Sequence, residues 1–150
     1  MRPAVSQQNL YLVGYSQKLS KYNVGCVRTR YLYKNGDWVK RSLTYVFTFE
    51  TEPWQTQSAA IDVQWKPYAA LLHVKASDYV QRNLGAKPTY VIRTYGDNFL
   101  LLSDLNEVPS TCSLWVTIDN VEIIPETINR TFYTICPDPV YVPFNQKCFS

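Results

Sequence analysis

The side chains with most chemistry to offer in this 150-residue sequence are one histidine, His73, and four cysteines, Cys26, Cys112, Cys136 and Cys148. A zinc site needs closely spaced ligands, and with no CxxC pair and a single imidazole the set is a poor one. Two disulfides are the better reading, and four cysteines leave three pairings open. Such bonds persist in an oxidising, extracellular compartment. His73 stands among Leu71, Leu72 and Val74, where a lone imidazole is more often an outward or hydrogen-bonded residue than a catalytic base. No Ser-His-Asp order, paired-carboxylate motif, Gly-rich phosphate loop or HExxH stands out, and a single imidazole restricts general acid–base chemistry further. The chain reads as a binding protein, not an enzyme, and requires no cofactor and no metal.

The charged residues point to few partners. Fifteen Lys and Arg against twelve Asp and Glu leave +3, scattered rather than gathered into a stripe, so no nucleic-acid partner is expected. Arg41 and Arg93 interrupt apolar faces and could pair an anionic head group, but an arginine at a strand end more often carries its guanidinium to the rim. Asp62, between Ile61 and Val63, is expected to face solvent. Asn129-Arg130-Thr131 is a glycosylation sequon, effective only where exposed.

The elements that must position these residues are mostly strands. Hydrophobic residues at 46% and charged ones at 18% exclude a disordered chain, because such a composition buries enough apolar area to offset chain entropy. Twelve Tyr, six Phe and four Trp with five Gly favour pleated surfaces. Leu10 to Ser16 and Val24 to Tyr33 read as the first two strands, and Asn35-Gly36 tolerates the positive φ of a tight hairpin leading to a third, Trp38 to Phe49. Ser58 to Trp65 and Ala69 to Ala76 follow around Pro67; Thr89 to Tyr95 meets Phe99 to Leu105 through Gly96-Asp97-Asn98, and Cys112 to Ile118 ends the series. About eight strands suit a closed barrel whose interior holds side chains or one small ligand. The period then changes: Ile128, Phe132, Ile135 and Cys136 share one stripe of a helix opened by Pro125 and stopped by Pro137 and Pro139. So short a helix must dock outside the sheet. A single domain over 1–150 is expected, with 1–8 a flexible N-terminal segment. Neither a signal peptide nor a membrane span is read, since no apolar run approaches ~18 residues, and Met1 then reads as a start added to a processed, secreted chain.

Cys26 on the second strand, Cys112-Ser113-Leu114-Trp115-Val116, the following Ile-Pro helix with Cys136, and Val140-Tyr141-Val142-Pro143-Phe144 before Cys148 resemble the tick salivary lipocalins, the histamine-binding protein family, over nearly the whole chain. Asn9 to Ser16 and Asn23-Val24-Gly25-Cys26-Val27 look most similar to its Japanin-like subgroup. The resemblance implies an eight-stranded antiparallel barrel, a C-terminal helix packed outside it, and the disulfides Cys26–Cys148 and Cys112–Cys136. With that pairing Cys112, Leu114, Val116 and Ile118 face the helix, which turns Ser113, Trp115 and Thr117 inward; on the second strand it turns Val27, Thr29, Tyr31 and Tyr33 inward.

The family implies sequestration of a small host mediator, and the subgroup implies a cholesterol-like ligand with an action on dendritic cells. Histamine-binding members carry Cys-Glu-Leu-Trp-Val where this chain has Ser113, so the inward carboxylate an ammonium would need is missing there. The expected inner wall is Tyr31, Tyr33, Leu43, Tyr45, Phe47, Phe49, Leu72, Val74 and Trp115, apolar with a few hydroxyls, and Arg93 and Ser113 complete the candidate set. Such a wall suits a small hydrophobic molecule with one polar end, unless these side chains simply fill the barrel. The alternatives are a histamine or serotonin scavenger, and an immune inhibitor that uses the barrel only as scaffold and engages a host immune-cell component. A monomer is expected.

Overall fold

The computed structural model describes residues 2–19, 24–47, 55–106, 110–142 and 148. After a 3-10 turn at Pro3–Val5 come β1 (Leu10–Ser16), β2 (Val24–Asn35), β3 (Trp38–Phe47), β4 (Gln55–Lys66) and β5 (Leu71–Lys75). Helix α1 (Asp78–Leu84) separates these from β6 (Thr89–Gly96), β7 (Phe99–Asp104) and β8 (Cys112–Val116), and α2 (Glu126–Ile135) precedes β9 (Pro139–Tyr141). Each of β2 to β7 pairs antiparallel with the next strand, and β1 bonds to both β8 and β2, which closes an eight-stranded barrel. Strand β9 adds to β1 at Gly14, Tyr15 and Ser16, beyond Leu10 and Tyr11, where β1 pairs with β2.

The hairpin between β2 and β3 pairs Asn35 with Trp38, so its two central residues are Gly36 and Asp37, one position later than an Asn-Gly turn. Gly36 has φ +62, a conformation closed to most side chains at that position. Of the four register shifts among the described residues of the barrel, at Leu12/Gly14, Gly25/Arg28, Tyr31/Tyr33 and Ile92/Thr94, the last two bear on expected site residues. The register of β2 on β3 shifts between Tyr31 and Tyr33, and that of β6 on β7 between Ile92 and Thr94. Each inserts one unmatched residue, Leu32 or Arg93, and a one-residue insertion inverts the facing of the residues beyond it.

Two apolar clusters result. Inside the barrel Leu10, Leu43, Ile61, Val63, Leu72, Leu100 and Leu102 are buried together. Outside it, Cys112, Leu114 and Val116 of β8 pack with Ile128, Phe132 and Cys136, the face of β8 expected for the helix. The disulfides join Cys26 to Cys148 and Cys112 to Cys136. Pro125 is the residue before the first helical turn of α2 rather than part of it. The helix ends at Cys136, extended at φ −98 and ψ 137, as expected of a residue preceding proline.

Helix α1 is an addition to the expected elements. Ser77 Oγ accepts the Val80 N–H at 3.3 Å, and Gly85 closes the helix at φ 73, so both ends carry their preferred caps. Two turns are too few to display a helical period. The N-terminal residues, expected to be flexible, are instead packed: Pro3 and Ala4 are buried, and their turn lies against β4 and β7. Among the described residues no helix is long and apolar enough to cross a membrane.

Candidate functional site

The barrel encloses a cavity of about 400 Å³, within the size range of sites that hold one small molecule. Its wall is built by strand alternation: Leu10 and Leu12 from β1, Val27 and Thr29 from β2, Leu43 from β3, Ile61 and Val63 from β4, Leu72 and Val74 from β5, Leu100 and Leu102 from β7, and Ser113 and Trp115 from β8. Val80 and Leu84 of α1 cover one end together with Ala86 and Lys87. That helix is further held by Tyr45, whose hydroxyl faces Tyr79; burial, then this neighbour, pushes the Tyr45 pKa up.

Arg41 and Ala4 lie at the other end. The Arg41 side chain is 1% exposed, the opposite of a rim position. Its Nε donates to Thr29 Oγ1 at 2.9 Å, Nη1 to the carbonyls of Ala4 and Ser6, and Nη2 to those of Gln8 and Thr29. A guanidinium has five N–H donors, so these five bonds occupy all of them. Burial draws the Arg41 pKa down to about 10, still cationic at neutral pH. Its work is to tie the N-terminal segment across the barrel end, leaving no donor for an anionic ligand.

Leu43, Leu72, Val74, Ser113 and Trp115 therefore line the cavity as expected from the sequence. Tyr31, Tyr45 and Phe47 pack against the inner core without bordering the cavity. Tyr33 is 51% exposed, turned outward by the Leu32 insertion, and Arg93 is exposed with Nη1 3.4 Å from Ser103 Oγ. Neither belongs to the wall. Phe49 lies outside the described residues. Trp115 Nε1 donates to Ser113 Oγ at 3.0 Å, so the two polar groups of β8 serve each other beneath an apolar ring surface. Asp62 faces outward and pairs with Lys40 at 3.4 Å, and His73 Nδ1 lies 3.3 Å from Thr89 Oγ1. Asn129 accepts the Tyr141 hydroxyl proton at 2.6 Å, leaving its amide nitrogen unused by that bond.

Asp104, Tyr90 and Thr111 also line the cavity, and sequence reasoning missed them. Asp104 is 6% exposed and ends the β7 alternation that places Leu100 and Leu102 inward. The pattern Phe99-Leu100-Leu101-Leu102-Ser103-Asp104 has no visible alternation, because the outer face of β7 is buried as well: Leu101 is 1% exposed. Burial pushes the Tyr90 pKa up, and Asp104 adds to that rise against the Lys87 N–H, which lowers it.

A closed antiparallel barrel with a helix docked outside, one end plugged and an apolar cavity within defines a lipocalin, a carrier of small molecules. No family model matches the chain. Japanin of Rhipicephalus appendiculatus is 69% identical over 147 residues, covering 98% of this chain and 84% of that protein. Japanin-like-RS of Rhipicephalus sanguineus is 63% identical over 147 residues with the same coverage. The solved structure of Japanin bound to cholesterol superposes with a TM-score of 0.96 at 68% identity, over 99% of each chain. This chain belongs to the Japanin family of tick salivary lipocalins.

Proposed function

We propose that this protein is a secreted lipocalin that holds cholesterol or a closely related sterol in its barrel. The observation that carries the reading is the cavity of about 400 Å³ walled by aliphatic side chains and Trp115, in a fold superposing on cholesterol-bound Japanin with a TM-score of 0.96. Burial of apolar area drives such binding at roughly 25 cal/mol per Å², so a rigid, mostly hydrocarbon ligand gains most from a preformed wall. Modulation of host immune cells is part of the proposal, on the strength of the family resemblance. Native mass spectrometry of protein made in eukaryotic cells tests the ligand: an adduct with the mass of a sterol is expected, and a barrel that emerges empty and takes up no labelled sterol contradicts it.

One observation favours a second reading. Asp104 supplies an inward carboxylate that could pair a biogenic amine, the role Ser113 cannot fill. Calorimetry with histamine and serotonin separates the two, since amine capture predicts binding abolished in Asp104→Asn.

A further inference from the structure

We propose that Thr111 and Asp104 form an alcohol-recognition site that selects a neutral hydroxylated ligand over a ketone or an anion. The proposal rests on the sterol reading above and adds how the polar end of that ligand is held. Thr111 is 3% exposed, lines the cavity, and its Oγ1 is buried without a hydrogen-bond partner among the described residues. A buried hydroxyl left unpaired is costly, and such groups in a native structure call for a partner. Beside it, the Asp104 N–H donates to the Thr111 carbonyl at 3.0 Å, which fixes the two residues as neighbours. Among the described residues the Asp104 carboxylate accepts one backbone bond, from Asn106 N–H to Oδ1 at 2.8 Å, and its remaining capacity is purely that of an acceptor. Tyr90, paired across the sheet with Asp104, flanks the pair, its hydroxyl already accepting the Lys87 N–H at 2.8 Å.

An alcohol fits this pair on both sides. Its oxygen accepts the Thr111 proton while its own proton goes to the Asp104 carboxylate. A ketone accepts from Thr111 but turns a lone pair toward the carboxylate, and a sulfate or fatty-acid head sets a second negative charge beside a buried one. The opposite end of the cavity offers no competing donor among the Arg41 N–H groups, which are all engaged.

The test is equilibrium binding of cholesterol, 5-cholestene, cholest-4-en-3-one and cholesterol sulfate to delipidated full-length protein. Wild type is expected to prefer cholesterol over each of the others by about tenfold or more, the scale of one or two hydrogen bonds, one of them to a charged group. Thr111→Val and Asp104→Asn should each shrink the preference for cholesterol over 5-cholestene toward unity, with wild-type circular dichroism and both disulfides formed certifying their folding. Thr111→Ser should restore the preference. Equal wild-type affinity for cholesterol and 5-cholestene, or a preference that survives both Thr111→Val and Asp104→Asn, overturns the alcohol site while leaving the sterol reading intact. Wild type that binds none of the four sterols overturns both.

Discussion

Gly14 of β1 and Phe132 of α2 touch so closely that a Cβ on Gly14 would lie 2.8 Å from Phe132 Cε2 and 2.9 Å from Cζ. Phe132 is fully buried and packs against Tyr141 with ring centroids 5.2 Å apart and planes tilted by 56°, so it has little room to retreat. The missing side chain lets α2 seat on β1 as well as on β8. Gly14→Ala should therefore destabilise the fold by about 1–3 kcal/mol, the usual cost of overpacking, measured by urea unfolding. Because the contact lies outside the barrel, sterol affinity should be retained; an unchanged midpoint contradicts this packing account.

Arg41 gives a sharper test, since its guanidinium connects Thr29 to the carbonyls of Ala4, Ser6 and Gln8. Arg41→Leu removes every donor and strands those acceptors, each costing about 1–3 kcal/mol where it stays buried. The expected result is a loss of about 3 kcal/mol or more, with faster amide exchange confined at first to residues 4–8. Arg41→Lys should recover only part, because an ammonium has three donors and no planar fork. Wild-type exchange rates at 4–8 in Arg41→Leu would refute the role.

Tyr141 predicts an alkaline signature. Burial, followed by the neighbouring Tyr133 and Glu126, raises its pKa from 10.0 to about 12, and its hydroxyl donates to Asn129. An acid whose pKa is higher folded than unfolded contributes stability that is full below pH 10 and lost as pH climbs toward 12. Tyr141→Phe should be less stable than wild type at pH 8, and the gap should narrow between pH 10 and 12. A gap that is constant over that window contradicts the assignment.

Much of the fold is legible in the sequence, and the failures have local causes. The alternation of Cys112, Leu114 and Val116 against Ser113 and Trp115 is uninterrupted, and the structure follows it residue for residue. Tyr33 and Arg93 fail because each lies at or beyond a single inserted residue, and nothing in a lone sequence marks an insertion that only the partner strand reveals. Arg41 fails for another reason: three of its five acceptors are backbone carbonyls more than thirty positions away in the chain, and any residue type can provide a carbonyl. Asp104 was hidden by a run buried on both faces, where period-two reasoning has no purchase. Helix α1 had readable caps in Ser77 and Gly85 but too short a body.

Glycosylation at Asn129 is a proposal that the local geometry favours. The Tyr141 bond uses Oδ1 and leaves the amide nitrogen, while Thr131 of the sequon keeps its hydroxyl on the helix surface, bonded to the Thr127 carbonyl at 2.9 Å. Protein from eukaryotic cells should lose mass on enzymatic deglycosylation, and Asn129→Gln should abolish that shift. An unaltered mass in the wild type would show the sequon to be unused.

A sterol site inside the barrel is tested by titration of delipidated protein with labelled cholesterol beside a Leu43→Trp variant. Leu43 lines the cavity midway along β3, so an indole there fills the space the ligand needs. Saturation of the wild type at one sterol per chain is expected, with no specific uptake by Leu43→Trp although both disulfides form and its circular dichroism is unchanged. Wild type that binds nothing, or a folded Leu43→Trp that binds as wild type does, would contradict the claim.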